Sequence, residues 1–173
     1  FLHGQIDFNT RLMSFLNDEG VALHVFGWKD YYSGSVMPER GQTSGQTVIE
    51  QTRAYDQDEH RTALAESIVR GSIHNMRSNL QYYDNRGHDL GRIAGKLEQS
   101  ESNLETANDV DEIMGVEASA KRAYYQLFDE VLPSEFVFDA REYNPPKNEV
   151  NSLISFGNSL VYASTVSAIR ATA

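Results

Sequence analysis

The stretch from Asp58 to Tyr83 places Ala65, Ile68, Val69, Ser72, Met76 and Leu80 at spacings of three and four. At about 100° per residue these side chains fall on one stripe, which predicts a long helix whose stripe has to be buried. A helix of that length cannot complete a core alone, so the residues after it must supply further helices. The break comes at Tyr82-Tyr83-Asp84-Asn85-Arg86-Gly87, where turn-forming residues cluster.

What precedes the long helix has a different character. Gly4 to Phe8 alternates polar and apolar residues, as a short strand does. Asn9 and Thr10 are placed to cap a helix carrying Leu12, Phe15 and Leu16, which Gly20 ends. Val21 to Trp28 is rich in β-branched and aromatic residues, and Tyr31 to Val36 is a second strand after a Lys29-Asp30 turn. Pro38 to Gln46 is the best linker in the chain. The fold class expected is therefore α+β, with a small β-rich part over 1–37, a linker over 38–46 and a larger all-α domain over 47–173. Both ends read as cut, since the chain opens without Met and stops with a helical pattern still running.

Within the helical part, Thr47 to Tyr55 gives a short helix. Leu90 to Glu105 gives a polar one with little core to offer, interrupted by Gly91 and Gly95. Asn108 or Asp109 caps the next helix, with Glu112 reaching back as in a capping box. Leu132-Pro133 ends that helix, and Glu135 to Phe138 reads as short and extended. Asn144-Pro145-Pro146 leads into a last helix from Val150 onward, with Leu153, Gly157, Leu160 and Ser164 on one face.

The helix following Asp109 holds the residue most suggestive of chemistry. Ile113, Val116, Ala120, Ala123, Tyr124 and Leu127 share a face, and Glu117 projects from inside that face. A carboxylate aimed into a packing surface is costly unless it is paired, protonated or metal-bound. Lys121 at i+4 offers a pair that would let Glu117 lean towards solvent. On the wheel alone both readings, ion pair and functional carboxylate, stand.

Composition narrows the classes. The chain has no cysteine, so disulfides, thiolate zinc sites and cysteine nucleophiles are excluded. Its 25 acidic and 15 basic residues give a net charge of −10, which opposes wrapping of nucleic acid by a broad basic surface but leaves room for a local groove. Such a Lys-poor, acidic surface suits a salt-rich interior. No apolar run approaches the roughly 18 residues that span a bilayer, and no secretory pattern opens the chain, so a cytoplasmic location and no membrane partner are expected.

Other candidates are weaker. Asp56 and His60 at i,i+4 have metal-ligand spacing but sit in a solvated, charged stretch. His74 reads as a packing residue on the long helix, and His88-Asp89 as a loop tip. Gly41 to Gly45 lacks the Lys-Ser/Thr ending of a phosphate loop. Arg122, Arg141 and Asn151 are candidates for phosphate contacts, with ordinary surface charge or capping as the alternative. A single Glu is not a metal site, because a hard divalent cation takes several oxygen or imidazole ligands.

Two stretches carry a family resemblance. Met114-Gly115-Val116-Glu117-Ala118, followed by Ala123-Tyr124-Tyr125, resembles a signature helix of CRISPR-associated protein one. Arg141 through Tyr162, with Pro145-Pro146, Val150-Asn151 and Ser155-Phe156-Gly157-Asn158-Ser159-Leu160-Val161-Tyr162, is similar to its second and longer signature. Weaker matches at Gly4 to Asn9, Tyr32 to Pro38 and Ile68 to Met76 follow in the family's order. The resemblance departs at Asn148-Glu149, where many members have Asp-Pro, and at Ser72, where some have Lys.

The resemblance implies a metal-dependent DNA endonuclease and integrase of spacer acquisition, which inserts captured DNA fragments into a repeat array by phosphoryl transfer. It implies a β-rich N-terminal domain that mediates homodimerisation and a helical domain that holds the active site. A second small CRISPR-associated adaptation protein and double-stranded DNA would be its partners. It also implies a Mn²⁺ or Mg²⁺ held by a Glu, a His and an Asp. Only the Glu carries over, onto Glu117, as catalytic residue and metal ligand; the His and Asp are expected beyond Ala173. The competing reading is a non-enzymatic helical interaction module in which Glu117 is an ordinary paired carboxylate.

Overall fold

The computed structural model describes residues 2–3, 6–27, 32–39, 44–142 and 145–172. Three strands, β1 (Leu2–His3), β2 (Leu23–Phe26) and β3 (Tyr32–Val36), form one sheet in the order β1-β2-β3. β1 runs parallel to β2 and β3 antiparallel to it. His24 stands opposite Ser35, and a register shift between Val25 and Phe26 lets β3 bulge around Ser33. Between β1 and β2 lies α1 (Thr10–Asp18), whose N-cap Asn9 accepts the Leu12 N–H at 3.1 Å. Gly20 closes that connection with φ 68°. The expected strand at Gly4 to Phe8 is absent over Ile6 to Phe8, which follows β1 as irregular chain; Gly4 and Gln5, the Lys29-Asp30 turn and residues 40–43 of the linker lie outside the described residues.

The helices are α2 (Gly45–Asp56), α3 (Asp58–Asp84), α4 (Gly91–Glu105), α5 (Val110–Tyr125), α6 (Leu127–Val131) and α7 (Glu149–Thr172). The α+β class expected from the sequence is the one observed. By Cα proximity, Phe1–Ile49 with Tyr143–Ala173 make one compact unit and Glu50–Glu142 another. The division read from the sequence instead groups 143–173 with the other helices. The side-chain contacts that tie α7 to the sheet are Ser167 Oγ to His24 Nε2 at 2.9 Å and Tyr162 edge-on to Tyr32 at 5.3 Å between centroids.

The core of the helical unit lies among α3, α4 and α5. Val69, Ile73, Met76 and Leu80 of α3 meet Ile93, Leu97 and Leu104 of α4 and Ile113, Ala120 and Ala123 of α5, with Leu90 and Leu127 closing the ends. Each large apolar side chain so buried contributes about 1.5–3 kcal/mol. Three expectations change here. Ile68 is 72% exposed, because the buried stripe runs through Ile73 instead. α4 is a main contributor to the core: its few apolar residues all lie on one stripe. In α7 Val150, Asn151 and Ala163 are buried, whereas Leu153 is exposed.

Caps explain several boundaries. Asp109 accepts the Glu112 N–H at 2.8 Å and Glu112 accepts the Asn108 N–H at 2.7 Å, completing the expected box. Asn148 Oδ1 accepts the Asn151 N–H at 2.8 Å, so α7 starts at Glu149 from its own Asn cap. Glu135 to Phe138 is not extended; the Phe136 N–H closes a turn onto Pro133 at 2.9 Å.

Candidate functional site

α5 presents Glu117 at the edge of its packed face. Ile113 and Ala120, one turn to either side, are buried, while the Glu117 side chain keeps 33% of its surface. Lys121 Nζ lies 2.6 Å from Glu117 Oε1. The pair is i,i+4 with the acid nearer the helix N-terminus, the favoured order. Two turns along, Tyr124 turns towards α3, where Asn79 Nδ2 donates to its hydroxyl at 3.2 Å. Burial pushes the Tyr124 phenol above its usual range.

The fit to a divalent cation is poor on this chain alone. Among the described residues no three His, Asp or Glu side chains converge, and the Glu117 carboxylate is met by an ammonium. A divalent cation takes several oxygen or imidazole ligands, which these residues do not supply.

The proposed phosphate contacts are placed differently from one another. Arg122 is exposed on α5, five residues from Glu117 and so about 140° around the helix. Arg141 is half-buried and donates from its guanidinium to the Glu142 carbonyl. Asn151 has no exposed surface in the first turn of α7. Asp56 and His60 do not share a helix, because Gln57 is extended between α2 and α3. His74 is exposed rather than packed, and lines a cavity of about 640 Å³ with Arg77, Asp84 and Glu98. His88 is no loop tip: its Nδ1 bonds the Glu130 carbonyl at 2.9 Å and its ring meets Tyr83.

One functional-looking residue escaped sequence reasoning. His24 is buried on β2, its Nδ1 hydrogen-bonded to Ser35 and its Nε2 to Ser167. Burial lowers its pKa below the usual histidine value. No local signal marks it, since its hydroxyl partners lie on other elements.

The family model for CRISPR associated protein Cas1 matches residues 1–173. The CRISPR-associated endonuclease Cas1 of Haloferax volcanii is 51% identical over 173 residues, covering 100% of this chain and 52% of that protein. A Cas1 protein from Thermotoga maritima has a solved structure similar at a TM-score of 0.79 and 34% identity, covering 95% of this chain and 51% of that one. A chain of a Cas6-RT-Cas1–Cas2 complex is similar at 0.76 and 25% identity, over 92% of this chain and 18% of that one. The chain spans about half the length of the curated relatives it matches.

Proposed function

The chain belongs to the Cas1 family of CRISPR-associated proteins, and from that premise we propose that it is part of a metal-dependent DNA endonuclease and integrase that inserts captured fragments into a repeat array. The match to the family over residues 1–173 carries this reading. Glu117 is assigned one carboxylate of a Mn²⁺ or Mg²⁺ site whose histidine and aspartate come from beyond residue 173. Such an ion would supply charge neutralisation at a scissile phosphate.

Arg122, Arg141 and Asn151 are the proposed phosphate contacts; Arg122 is exposed, whereas Asn151 is buried in the first turn of α7. Duplex DNA is the substrate proposed, read mainly through phosphates and shape. The β-rich part, 1–37, is the proposed homodimerisation surface. A small second adaptation protein is the proposed partner, in line with the Cas1–Cas2 assembly named for one structural neighbour. No helix of the described residues is long and apolar enough to cross a membrane, and a cytoplasmic site of action is proposed.

One observation favours a second reading, a non-catalytic helical interaction module: Glu117 is ion-paired with Lys121. The full-length protein carrying Glu117→Ala separates the two. Under the integrase reading it stays folded by circular dichroism and loses Mn²⁺-dependent integration of a labelled DNA fragment by a factor of about 100 or more. Wild-type integration by that variant would remove Glu117 from the site.

A further inference from the structure

We propose that Arg92, Lys96 and Arg122 form a phosphate-binding stripe that holds duplex DNA along the outer seam of α4 and α5, on the side of α5 away from Glu117. The proposal rests on the reading of this family member as a DNA-processing enzyme and assigns it a binding surface.

The charges on α4 are sorted by flank. Arg77 of α3 pairs with Glu98 at 3.2 Å and with Glu101, so the acidic flank of α4 is turned to α3. On the opposite flank stand Arg92 and Lys96, one turn apart, followed by the amides of Gln99 and Asn103, which bond each other at 3.0 Å. Lys96 Nζ donates to Gln126 Oε1 at 2.9 Å, which places the basic flank of α4 against the Gln126 side of α5. Arg122, one turn before Gln126, lies on that same side.

Pairing leaves the same three residues without a carboxylate, together with Arg86, whose guanidinium lies over the Tyr82 ring and donates to the Tyr82 carbonyl. In the helical unit Arg53, Arg61, Arg70, Arg77 and Lys121 are each ion-paired with a carboxylate. Arg92, Lys96 and Arg122 are not, among the described residues, and all three are exposed. Their charge is therefore available to a ligand, in a chain whose net charge of −10 makes such a stripe exceptional. Glu112, nearer the start of α5, is already engaged in its cap.

The spacing suits a phosphate backbone. A short connection makes α4 and α5 antiparallel, so Arg92 and Arg122 fall on opposite sides of the Lys96–Gln126 link. At 1.5 Å per residue each is about 6 Å from it along the helices, giving about 12 Å in all. One strand of B-DNA presents a phosphate about every 3.4 Å of axis, so the stripe spans roughly three or four.

The test measures duplex affinity of the full-length protein across a series of KCl concentrations. Neutralising all three cations (R92Q, K96Q and R122Q together) should make the slope of log K against log salt shallower by about 2.7, from roughly 0.9 per phosphate contact. The same change at three ion-paired positions (R53Q, R61Q and R70Q) should leave the slope as in wild type. A wild-type slope in the first variant, or an equal loss in the second, overturns the stripe. E117Q is run alongside: it should bind DNA with the wild-type slope and fail to integrate it. Retained integration by E117Q would sink the assignment of Glu117 while leaving the result for the stripe to be read by itself. Single substitutions, each expected to remove about 0.9 from the slope, cover the case in which the triple variant does not fold.

Discussion

Glu117 and Lys121 are both partly solvated, so their pair contributes only about 0.3–0.5 kcal/mol to stability. Removing the lysine is therefore a test of role that the fold tolerates. If Glu117 is a cation ligand, the neighbouring ammonium opposes it, because like charges a few ångströms apart repel even at a protein surface. Lys121→Met in the full-length protein should then tighten Mn²⁺ binding several-fold, measured as loss of the free-ion electron paramagnetic resonance signal during titration. Unchanged affinity would mean that Glu117 takes no part in binding the ion. The helical wheel puts Glu117 inside the packed face, whereas the structure has it at the edge of that face, a third exposed, between buried Ile113 and Ala120. It could not say which partner the carboxylate takes, since a lysine at i+4 is always within reach and the competing ligands lie elsewhere in the chain. Asn148 was missed as the cap of α7 for a related reason. The prolines before it are a stronger start signal than an Asn, yet it is Asn148 that receives the Asn151 N–H.

Among the elements, α4 separates composition from arrangement. Its sequence is mostly polar, which led to the expectation of a helix with little to bury. Burial depends on where the apolar residues fall, and Ile93, Leu97 and Leu104 lie within one narrow stripe, each no more than 2% exposed. Ser100 shares the stripe with its hydroxyl satisfied, donating to the Lys96 carbonyl at 3.0 Å. In α3 the error ran the other way. Ile68 fits a stripe drawn from Ala65 to Leu80, but the packed face is rotated towards Val69, Ile73 and Met76, and only the position of the neighbouring helices fixes that rotation. Paired substitutions test this assignment by urea denaturation. Leu97→Ala should cost about 2–5 kcal/mol, as a buried leucine does. Ile68→Ala should stay within about 0.5 kcal/mol of wild type. Equal costs would mean that α4 does not pack on the face described.

At the scale of the molecule, the sheet unit is assembled from both ends of the chain, and this was the least legible feature. Local periodicity marks β2, β3 and α7 as elements but carries no record of which meet, because His24 and Ser167 are 143 residues apart. Their hydrogen bond joins a chain that runs from the Tyr32 hydroxyl to Ser35 at 2.7 Å, on to the His24 ring and then to α7. Burial holds His24 below its ordinary pKa of 6.5, so the folded state keeps the ring neutral where the unfolded chain begins to protonate it. The unfolded state then binds more protons, and stability rises with pH across the interval between the two values. This contribution is fully present above about pH 6.5, is lost as pH falls from there towards the folded value, and changes no further below it. Hydrogen exchange should accordingly find the amides of Leu23–Phe26 less protected at pH 5.5 than at pH 7.5, after correction for intrinsic rates. His24→Gln, which keeps hydrogen-bonding capacity without titrating near neutrality, should flatten that dependence. If the variant retains the wild-type pH profile, another group governs the junction of sheet and α7.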